Sequence, residues 1–575
     1  MRTLLTHTIL LLAATSPLLA APPLSAAPAV RPADVEALIA KGRDLLDAGR
    51  PKEAEAIFRE AAAADKNSFR TEMWTLRAWM EQGRVNDTLD RLDALEREGH
   101  AGADLDYLFG MAFVRMAEQK IAQGATDATL QMNFEDAVAR LKTAVAADPV
   151  RYRDACLALG QAAWYAQDLE TARAAIDRAV GFYPRDGGTH LMQGRIALSQ
   201  FQVARGEAAA PEEWSEAAQG HWSAARAAFT AAMECLGAPA KDTKAQGLLG
   251  TAAKELGHTL VWKGMRAEAA DAYAVALAWA PHLVDLGQMR GLLYEEGAEV
   301  PLGLFLAALE KGEAGFVNVF GERNPADATV HWWIGYTNLE LGRYEASEKA
   351  YLAAVTKHPA YVDSWYYVFL GRYDRQDWDG AAEAILRGWQ TDPPALLNAT
   401  RAGDAGANAE RVAWVAAQLL QKGGIHEAAM LYEICAETNS QSVDYWNNLG
   451  LLLRDEGDLL RQASETPDEA VIARLNERAL AAYLRALDLD PANPVLLNDT
   501  AVIYHQYVQR DFERALAMYR RAQETAAELL ARTDLSKEDR TAYETAQRDA
   551  RNNERDLKEL LAKRKKAAEG GGGGG

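Results

Sequence analysis

Residues 327–359, DATVHWWIGYTNLELGRYEASEKAYLAAVTKHP, contain a spacing of small and large residues that recurs elsewhere in the chain. The positions that carry it are Gly335, Ser347, Tyr351, Ala354 and Pro359. The same intervals separate two further sets: Gly160, Ala172, Ile176, Ala179, Pro184, and Gly257, Ala269, Tyr273, Ala276, Pro281. A spacing that is kept at separate places in one chain indicates a structural repeat. One small unit, stacked many times, therefore decides the fold.

The spacing within each set predicts two helices that pack on each other. Ser347, Tyr351 and Ala354 follow one another in steps that put them on one face of a helix. Gly335 precedes this helix and has no side chain, so the two helices can approach closely while the large residue fills the space beside it. Proline lacks an N–H group and restricts the residue before it, so Pro359 ends the second helix.

The pattern resembles the tetratricopeptide repeat, a helix–turn–helix of about 34 residues. Repeats are predicted to begin near Asp34, Ser68, Ala103, Arg153, Gly187, Thr251, Asp327, Val362, Ala409, Val443 and Pro494, with a weaker one at 282–312. The resemblance implies an all-α fold, an α-solenoid of about 11–12 helix pairs that forms a right-handed superhelix. Extra residues between the two helices of some repeats are expected to form loops or helix extensions.

The sequence predicts a signal peptide (1–29), an N-terminal repeat array (34–312), an irregular connection (313–326), a C-terminal repeat array (327–531), a charged, solvated C-terminal helix (532–569) and a glycine tail (570–575). Two stretches depart from the repeat pattern. Residues 316–320, FVNVF, show no helical spacing, and residues 391–409 are rich in Pro, Gly and Asn. Each is interpreted as a hinge, a loop folded over a ligand, or a degenerate repeat.

The N-terminus has the composition of an export signal. Arg2 gives a positive start, an apolar run follows at 9–19, and Ala27-Pro28-Ala29 is a small-residue cleavage site. The apolar run is short for a membrane span and is interrupted by Pro17. We expect a mature protein that is exported to a bacterial periplasm, or secreted.

Composition and motifs argue against several classes of function. The net charge of −20 disfavours nucleic acid and anionic membranes as partners, because phosphate binding needs clustered Lys and Arg. Three widely spaced cysteines do not form a disulfide framework. The sequence lacks the phosphate-binding Gly-rich loop, the His-Glu-x-x-His helix and the Gly-x-Ser-x-Gly elbow, and its histidines lack metal-ligand spacing. We therefore expect a protein that is not an enzyme and needs no metal or cofactor.

Aromatic residues mark the first candidate binding site. In tetratricopeptide proteins the first helix of each repeat lines a concave groove, which implies that exposed residues there contact the ligand. Helical spacing places Trp332, Tyr336, Tyr366 and Tyr373 toward this groove. Large aromatic side chains with polar tips are good anchors for peptides or sugars. The alternative interpretation is that these rings fill a bulky solenoid core.

Amide side chains mark the second candidate site. Asn447 and Asn448 align with Asn498 and Asp499 one repeat later. The arrangement resembles the asparagine ladders by which some tetratricopeptide solenoids hold a peptide backbone, since an amide both donates and accepts hydrogen bonds. Here the ladder spans two repeats. The positions of the family's carboxylate clamp hold aromatic, acidic or amide residues, so recognition of a peptide's C-terminal carboxylate is not predicted.

Three functions are compatible with this sequence. The first is a non-catalytic scaffold of the cell envelope that binds an extended peptide or protein partner in its groove, over 332–455. The second is a helper of envelope or exopolysaccharide assembly whose aromatic residues face sugar rings. The third, an enzyme or a regulatory subunit, requires a pocket formed by residues 313–327. The first two rest on analogy with the family.

Overall fold

The computed structural model describes residues 32–65, 68–124, 128–237, 242–320 and 328–570. Within these ranges the chain forms 26 α-helices and no β-strand, which confirms the predicted all-α solenoid class. The chain divides into two compact units, Met1–Leu236 and Gly237–Gly575. The predicted signal peptide lies outside the described residues, as do residues 571–575 of the predicted glycine tail.

The first unit is a stack of helix pairs. Its helices are α1 (Pro32–Asp47), α2 (Pro51–Ala64), α3 (Phe69–Glu81), α4 (Val85–Arg97), α5 (Ala103–Ala122), α6 (Ala128–Ala147), α7 (Arg153–Tyr165), α8 (Leu169–Phe182), α9 (Gly187–Arg205) and α10 (Glu216–Leu236). Each odd-numbered helix is the first helix of a predicted repeat and packs on the helix that follows it. From α3 onward it also packs on the helix before it, so successive pairs form one continuous stack.

The second unit repeats this arrangement. Its helices are α11 (Thr243–Trp262), α12 (Arg266–Trp279), α13 (Leu286–Leu293), α14 (Gly303–Phe320), α15 (Thr329–Glu340), α16 (Tyr344–Lys357), α17 (Asp363–Asp374), α18 (Trp378–Thr391), α19 (Pro393–Arg401), α20 (Ala405–Gln421), α21 (Ile425–Thr438), α22 (Val443–Gln462), α23 (Glu469–Leu489), α24 (Pro494–Val502), α25 (Phe512–Leu530) and α26 (Lys537–Gly570). The first helices of its clearest pairs are α11, α15, α17, α20, α22 and α24. A π-helical turn, Ile503–Tyr507, follows α24.

The glycines of the repeat lie where the two helices of a pair come closest. A Cβ atom on Gly335 would lie 2.8 Å from the ring of Tyr351, and one on Gly257 would lie 2.9 Å from the ring of Tyr273. These distances are shorter than van der Waals contact. Glycine therefore lets the aromatic ring of the second helix pack directly on the backbone of the first.

The extra residues in three repeats lengthen helices. In the first unit, α5 and α6 have 20 residues each, and α9 and α10 have 19 and 21. In the second unit, α22 and α23 have 20 and 21. Each long helix packs on a partner of similar length. Of the two outcomes expected for the insertions, helix extension is the main one.

The predicted irregular connection at 313–326 is helical up to Phe320, so this prediction is wrong for residues 313–320. Residues 321–326 lie outside the described residues. Helix α14 continues because small residues let it lie on α12: Cβ atoms on Gly312 and Gly315 would lie 2.6 and 2.9 Å from Leu277 and Ala278. The ring of Phe320 then meets Trp279 edge-on, with 5.6 Å between ring centroids. Tertiary packing holds a helix where the sequence shows no helical period.

The stretch 391–409 is also more helical than predicted. It forms α19 and the first turn of α20, which are separated by a short turn. Its helix-breaking residues stand at helix starts: Asp392 caps α19 through the Ala395 amide, ahead of two prolines, and Asp404 caps α20 through the Ala407 amide. Two helices begin close together in this stretch. The residues that start them give it a composition typical of a loop.

The charged C-terminal helix is present as α26, at residues 537–570 compared with the predicted 532–569. It is not a solvated extension along its whole surface, because Ala546, Ala550 and Leu557 are buried. The helix packs on α24 and α25. It therefore covers the face of the last repeat pair.

Candidate functional site

The aromatic residues on α15 form a stacked, half-buried pair. The rings of Trp332 and Tyr336 are 5.3 Å apart and nearly parallel, with 7° between their planes. The indole Nε1 of Trp332 donates a hydrogen bond of 2.8 Å to Asp363 Oδ2 on α17. Trp332 is thus partly exposed but also links two neighbouring first helices.

A buried tyrosine lies beneath this pair. Tyr351 on α16 stacks on Tyr367, with 5.1 Å between centroids and 8° between planes. Burial raises the pKa of its hydroxyl, which has no hydrogen-bond partner among the described residues. An unpartnered buried hydroxyl is costly, so a polar group that reached it would be favoured.

The structure buries Tyr366, in contrast to its predicted position on an open groove. Its side chain is 5% exposed and stacks on Phe369, with 5.9 Å between ring centroids. Burial raises the pKa of the Tyr366 hydroxyl to about 12, although the positive charge of Arg411 on α20 acts in the opposite direction. The sequence could not separate this residue from its neighbours because α17 carries aromatic residues on several faces. For Tyr366 the core alternative is correct.

Tyr373 belongs to a row of aromatic residues that ends at the exposed Trp414, which was not predicted as a site residue. Tyr373 is half-buried and contacts Trp378, with 5.5 Å between ring centroids. Trp378 in turn lies 6.5 Å from Trp414 on α20. Trp414 is 53% exposed, among the largest exposures of any apolar side chain in the described residues. The exposure of Trp414 could have been predicted from the sequence, because α20 buries its opposite face. That face carries Val412, Val415, Ala416 and Leu419.

The first half of the amide ladder is partly accessible. Asn447 and Asn448 are half-buried on α22. Asn447 Oδ1 is buried and has no hydrogen-bond partner among the described residues. This carbonyl is therefore not an open contact point of the surface.

The second half of the ladder is covered, so the predicted two-repeat ladder does not form an open row. Asn498 on α24 is 7% exposed. Its Nδ2 donates to Asp499 Oδ1 at 3.1 Å, and its Oδ1 accepts from Asn553 Nδ2 of α26 at 3.2 Å. The sequence aligned the two pairs correctly along the repeat, but the alignment carried no information on where α26 packs.

A charged cluster lies between the two amide pairs. Arg454 on α22 pairs with Asp455 at 2.7 Å, and the Tyr507 hydroxyl donates to Asp458 Oδ2 at 2.7 Å. Burial raises the pKa of Tyr507 to about 12. Burial also raises the pKa of Asp499, against the opposing charge of Arg454. Arg454 and Asp455 satisfy each other, as do Tyr507 and Asp458.

The accessible part of the candidate site is therefore the exposed surface of α15, α17, α20 and α22, which we name the first-helix face. It carries Trp332, Tyr336, Tyr373, Trp414 and Asn447. No group of His, Cys, Asp and Glu with metal-binding geometry occurs in the described ranges. No helix of the described chain is both long and apolar enough to cross a bilayer.

Comparison with known proteins identifies the repeat. Residues 39–98, 131–187 and 304–362 match the sequence profile of the tetratricopeptide repeat. The chain thus contains tetratricopeptide repeats, a fold whose general use is protein–protein interaction. No curated protein sequence matches the chain.

Solved structures with similar helix pairs were also found. The chain is 14% identical to yeast Tom70, with 92% of this chain and 99% of Tom70 covered and a TM-score of 0.20. It is 12% identical to a structure of the APC/C hetero-tetramer Cut9–Hcn1, with 90% and 96% covered and a TM-score of 0.27. It is 14% identical to YrrB, a TPR protein with an unusual peptide-binding site, with 39% and 94% covered and a TM-score of 0.22.

Proposed function

We propose that this protein is a non-catalytic scaffold that binds an extended segment of a partner protein along the first-helix face of its second unit. The observation that carries the proposal is the exposure of Trp414. An indole side chain with half its surface in water, 6.5 Å from the ring of Trp378, is a ready anchor for a partner.

The amide side chains of α22 suit a peptide backbone. Asn447 and Asn448 are half-buried amides on α22, the first helix of the pair that follows α20 and α21. An extended chain presents its N–H and C=O groups at regular intervals, so anchoring by aromatic residues and amide contacts can act together. This combination favours a peptide over a ligand that lacks amide groups.

The proposal is tested with a displayed library of random unstructured peptides, selected on the purified protein. Affinity of the enriched peptides is then measured by fluorescence anisotropy for wild type, Trp414→Ala, Asn447→Ala and the control Tyr294→Ala, which removes an exposed aromatic residue outside the first-helix face. We expect Trp414→Ala to weaken binding about tenfold or more and the control to leave it unchanged. Equal affinities for wild type and Trp414→Ala would overturn the assignment of the face.

The exposed indole also supports a second candidate, the binding of an envelope polysaccharide. The accessible face of Trp414 can pack on a sugar ring, and Trp378 lies beside it at 6.5 Å. A glycan array probed with wild type and Trp414→Ala separates the two candidates. A glycan signal that disappears in the variant, together with a peptide selection that yields no binder, would replace the peptide scaffold with the polysaccharide helper.

We also propose that the protein acts in the cell envelope after export. The support is the N-terminal pattern of Arg2, the apolar run at 9–19 and the small residues at 27–29. N-terminal sequencing of the protein from a periplasmic fraction should find a mature chain that begins at Val30. Recovery of an uncleaved chain from the cytoplasm would contradict export.

A further inference from the structure

A second trough lies in the first unit, between α8, α9 and α10, and has no part in the first-helix face. Its volume is about 710 Å³. Ile176 of α8 and Ile196 and Ala197 of α9 form an apolar floor. Along α10 it reaches from Ala217 to Ala231, a length of about 21 Å at the rise of an α-helix.

The α10 wall of the trough is made of small residues at heptad spacing. They are Ala217, Gly220, Ala224, Ala227 and Ala231. The first four are exposed. Small residues at this spacing leave a continuous shallow surface on which another helix can lie at an interaxial distance of about 8 Å.

No close packing among the described residues requires glycine at position 220. A Cβ atom at this position would meet no heavy atom within 4 Å among the described residues. Glycine inside a helix costs about 0.5–1 kcal/mol relative to alanine. This contrasts with Gly335 and Gly257, whose missing side chains make room for a tyrosine of the same chain. The space above Gly220 is open, so a partner side chain could enter it.

His190 on α9 supplies an independent sign of a ligand. It lines the trough, and its side chain is more than nine-tenths buried, with 9% exposed. Its Nε2 lies 3.0 Å from the Pro184 carbonyl oxygen, which can only accept, so Nε2 carries the proton and Nδ1 is an acceptor in the neutral ring. Nδ1 is buried and has no partner among the described residues. A donor from a bound partner would satisfy it.

The rim of the trough carries a positive charge that a partner can complement. Arg173 of α8 is exposed and makes no ion pair among the described residues, whereas Asp177 beside it accepts a hydrogen bond of 3.2 Å from Gln193. A partner with a carboxylate at this rim would complement Arg173.

We propose that this trough is a docking site for an amphipathic α-helix of a partner protein. The helix presents a heptad stripe of apolar side chains to α10, a hydrogen-bond donor to His190 and a carboxylate to Arg173. A helix fits better than a strand, because all three walls are helices whose backbone groups are already paired and because the small residues follow the period of a helix.

The test uses a displayed library of peptides of about four to five helical turns, with apolar residues fixed at heptad positions and the other positions randomised. After selection on the purified protein, affinity of the enriched peptides is measured by fluorescence anisotropy. Gly220→Leu fills the trough, Arg173→Glu reverses the rim charge, and Gly247→Leu on α11 is the matched control, since its Cβ also meets nothing within 4 Å.

We expect Gly220→Leu to weaken binding about tenfold or more at an unchanged melting temperature, and Gly247→Leu to leave the affinity unchanged. A Glu→Lys change in the enriched peptide should restore its binding to Arg173→Glu. No enriched peptide, or one that binds wild type and Gly220→Leu equally, would overturn the proposal. A homodimer in sedimentation experiments that dissociates in Gly220→Leu would also overturn it, by assigning the trough to a second copy of this chain.

Discussion

Gly335 on α15 lies directly against the ring of Tyr351 on α16, and a Cβ atom at Gly335 would come within 2.8 Å of that ring. Tyr351 is fully buried and also stacks on Tyr367 of the next first helix. One glycine thus sets the distance between two helices of a pair, and its aromatic partner carries that distance into the next pair. The stacking of this part of the solenoid depends on the contact.

Gly335→Leu is expected to destabilise the second unit. The new side chain has no room, so either the ring of Tyr351 moves or α15 and α16 separate, at a cost of about 1–3 kcal/mol or more. Thermal unfolding followed by circular dichroism measures the change. Gly247→Leu, where a Cβ meets nothing within 4 Å, is the control and should melt like wild type. Equal melting of both variants would contradict the close packing at Gly335.

Leu557→Ala is expected to loosen the C-terminal helix. Leu557 is fully buried on α26, in the same cluster as Tyr504 and Tyr519. Removing its side chain should cost about 2–5 kcal/mol and weaken the cover that α26 forms over Asn498. Hydrogen exchange of the α26 amides measures the effect, and Lys563→Ala on the exposed side of the helix is the control. Unchanged protection in Leu557→Ala would show that α26 is held elsewhere.

The fold could be predicted from sequence because the repeat is a local rule. The Gly335–Tyr351 spacing contains both partners of the contact within one repeat, so a short stretch specifies its own packing. The helix at 313–320 was not predicted because distant residues stabilise it. This helix packs on Leu277 and Ala278, one repeat earlier. Periodicity within a segment does not report such a neighbour.

The candidate site was less predictable for the same reason. Helical spacing identified the faces of α15 and α22, where Trp332 and Asn447 are partly accessible. It could not show that Tyr366 is buried or that Asn498 is covered by α26, because burial depends on packing by other helices. Trp414 was overlooked although its exposure follows from the buried face of its own helix. The sequence pattern of one helix does not show which of its side chains are buried by helices that are distant in the sequence.

The first unit should lose stability in acid through Glu81. Burial alone would raise the pKa of this carboxyl, but the charges of Arg77 and Arg115 outweigh burial and hold the pKa at about 2. The Arg115 guanidinium lies 2.9 Å from Glu81 Oε1. A carboxyl whose pKa is lower in the folded state stabilises the fold at pH values above its unfolded pKa, about 4.3, and this contribution is lost as the pH falls toward 2.

Denaturation of wild type and Glu81→Gln between pH 7 and about 2 measures this contribution. The wild type should lose up to about 3 kcal/mol over the acid range through this group. Glu81→Gln should be less stable at neutral pH, because Arg77 loses an ion pair within a buried cluster, and its stability should fall less steeply in acid. Parallel pH profiles for the two proteins would contradict the role of Glu81.

Tyr366→Ala should lower the stability of the protein, whereas Trp414→Ala should lower its affinity for peptides. Tyr366 is 5% exposed and packs on Phe369, so truncation leaves a cavity and should cost about 3–5 kcal/mol. Trp414 is 53% exposed, so its truncation should change the free energy of unfolding by less than about 1 kcal/mol. The same truncation should weaken binding of the peptides selected on the first-helix face. Denaturant unfolding and fluorescence anisotropy on the same preparations measure both quantities. If Trp414→Ala unfolds as readily as Tyr366→Ala, the indole is part of the core, and the first-helix face loses its anchor.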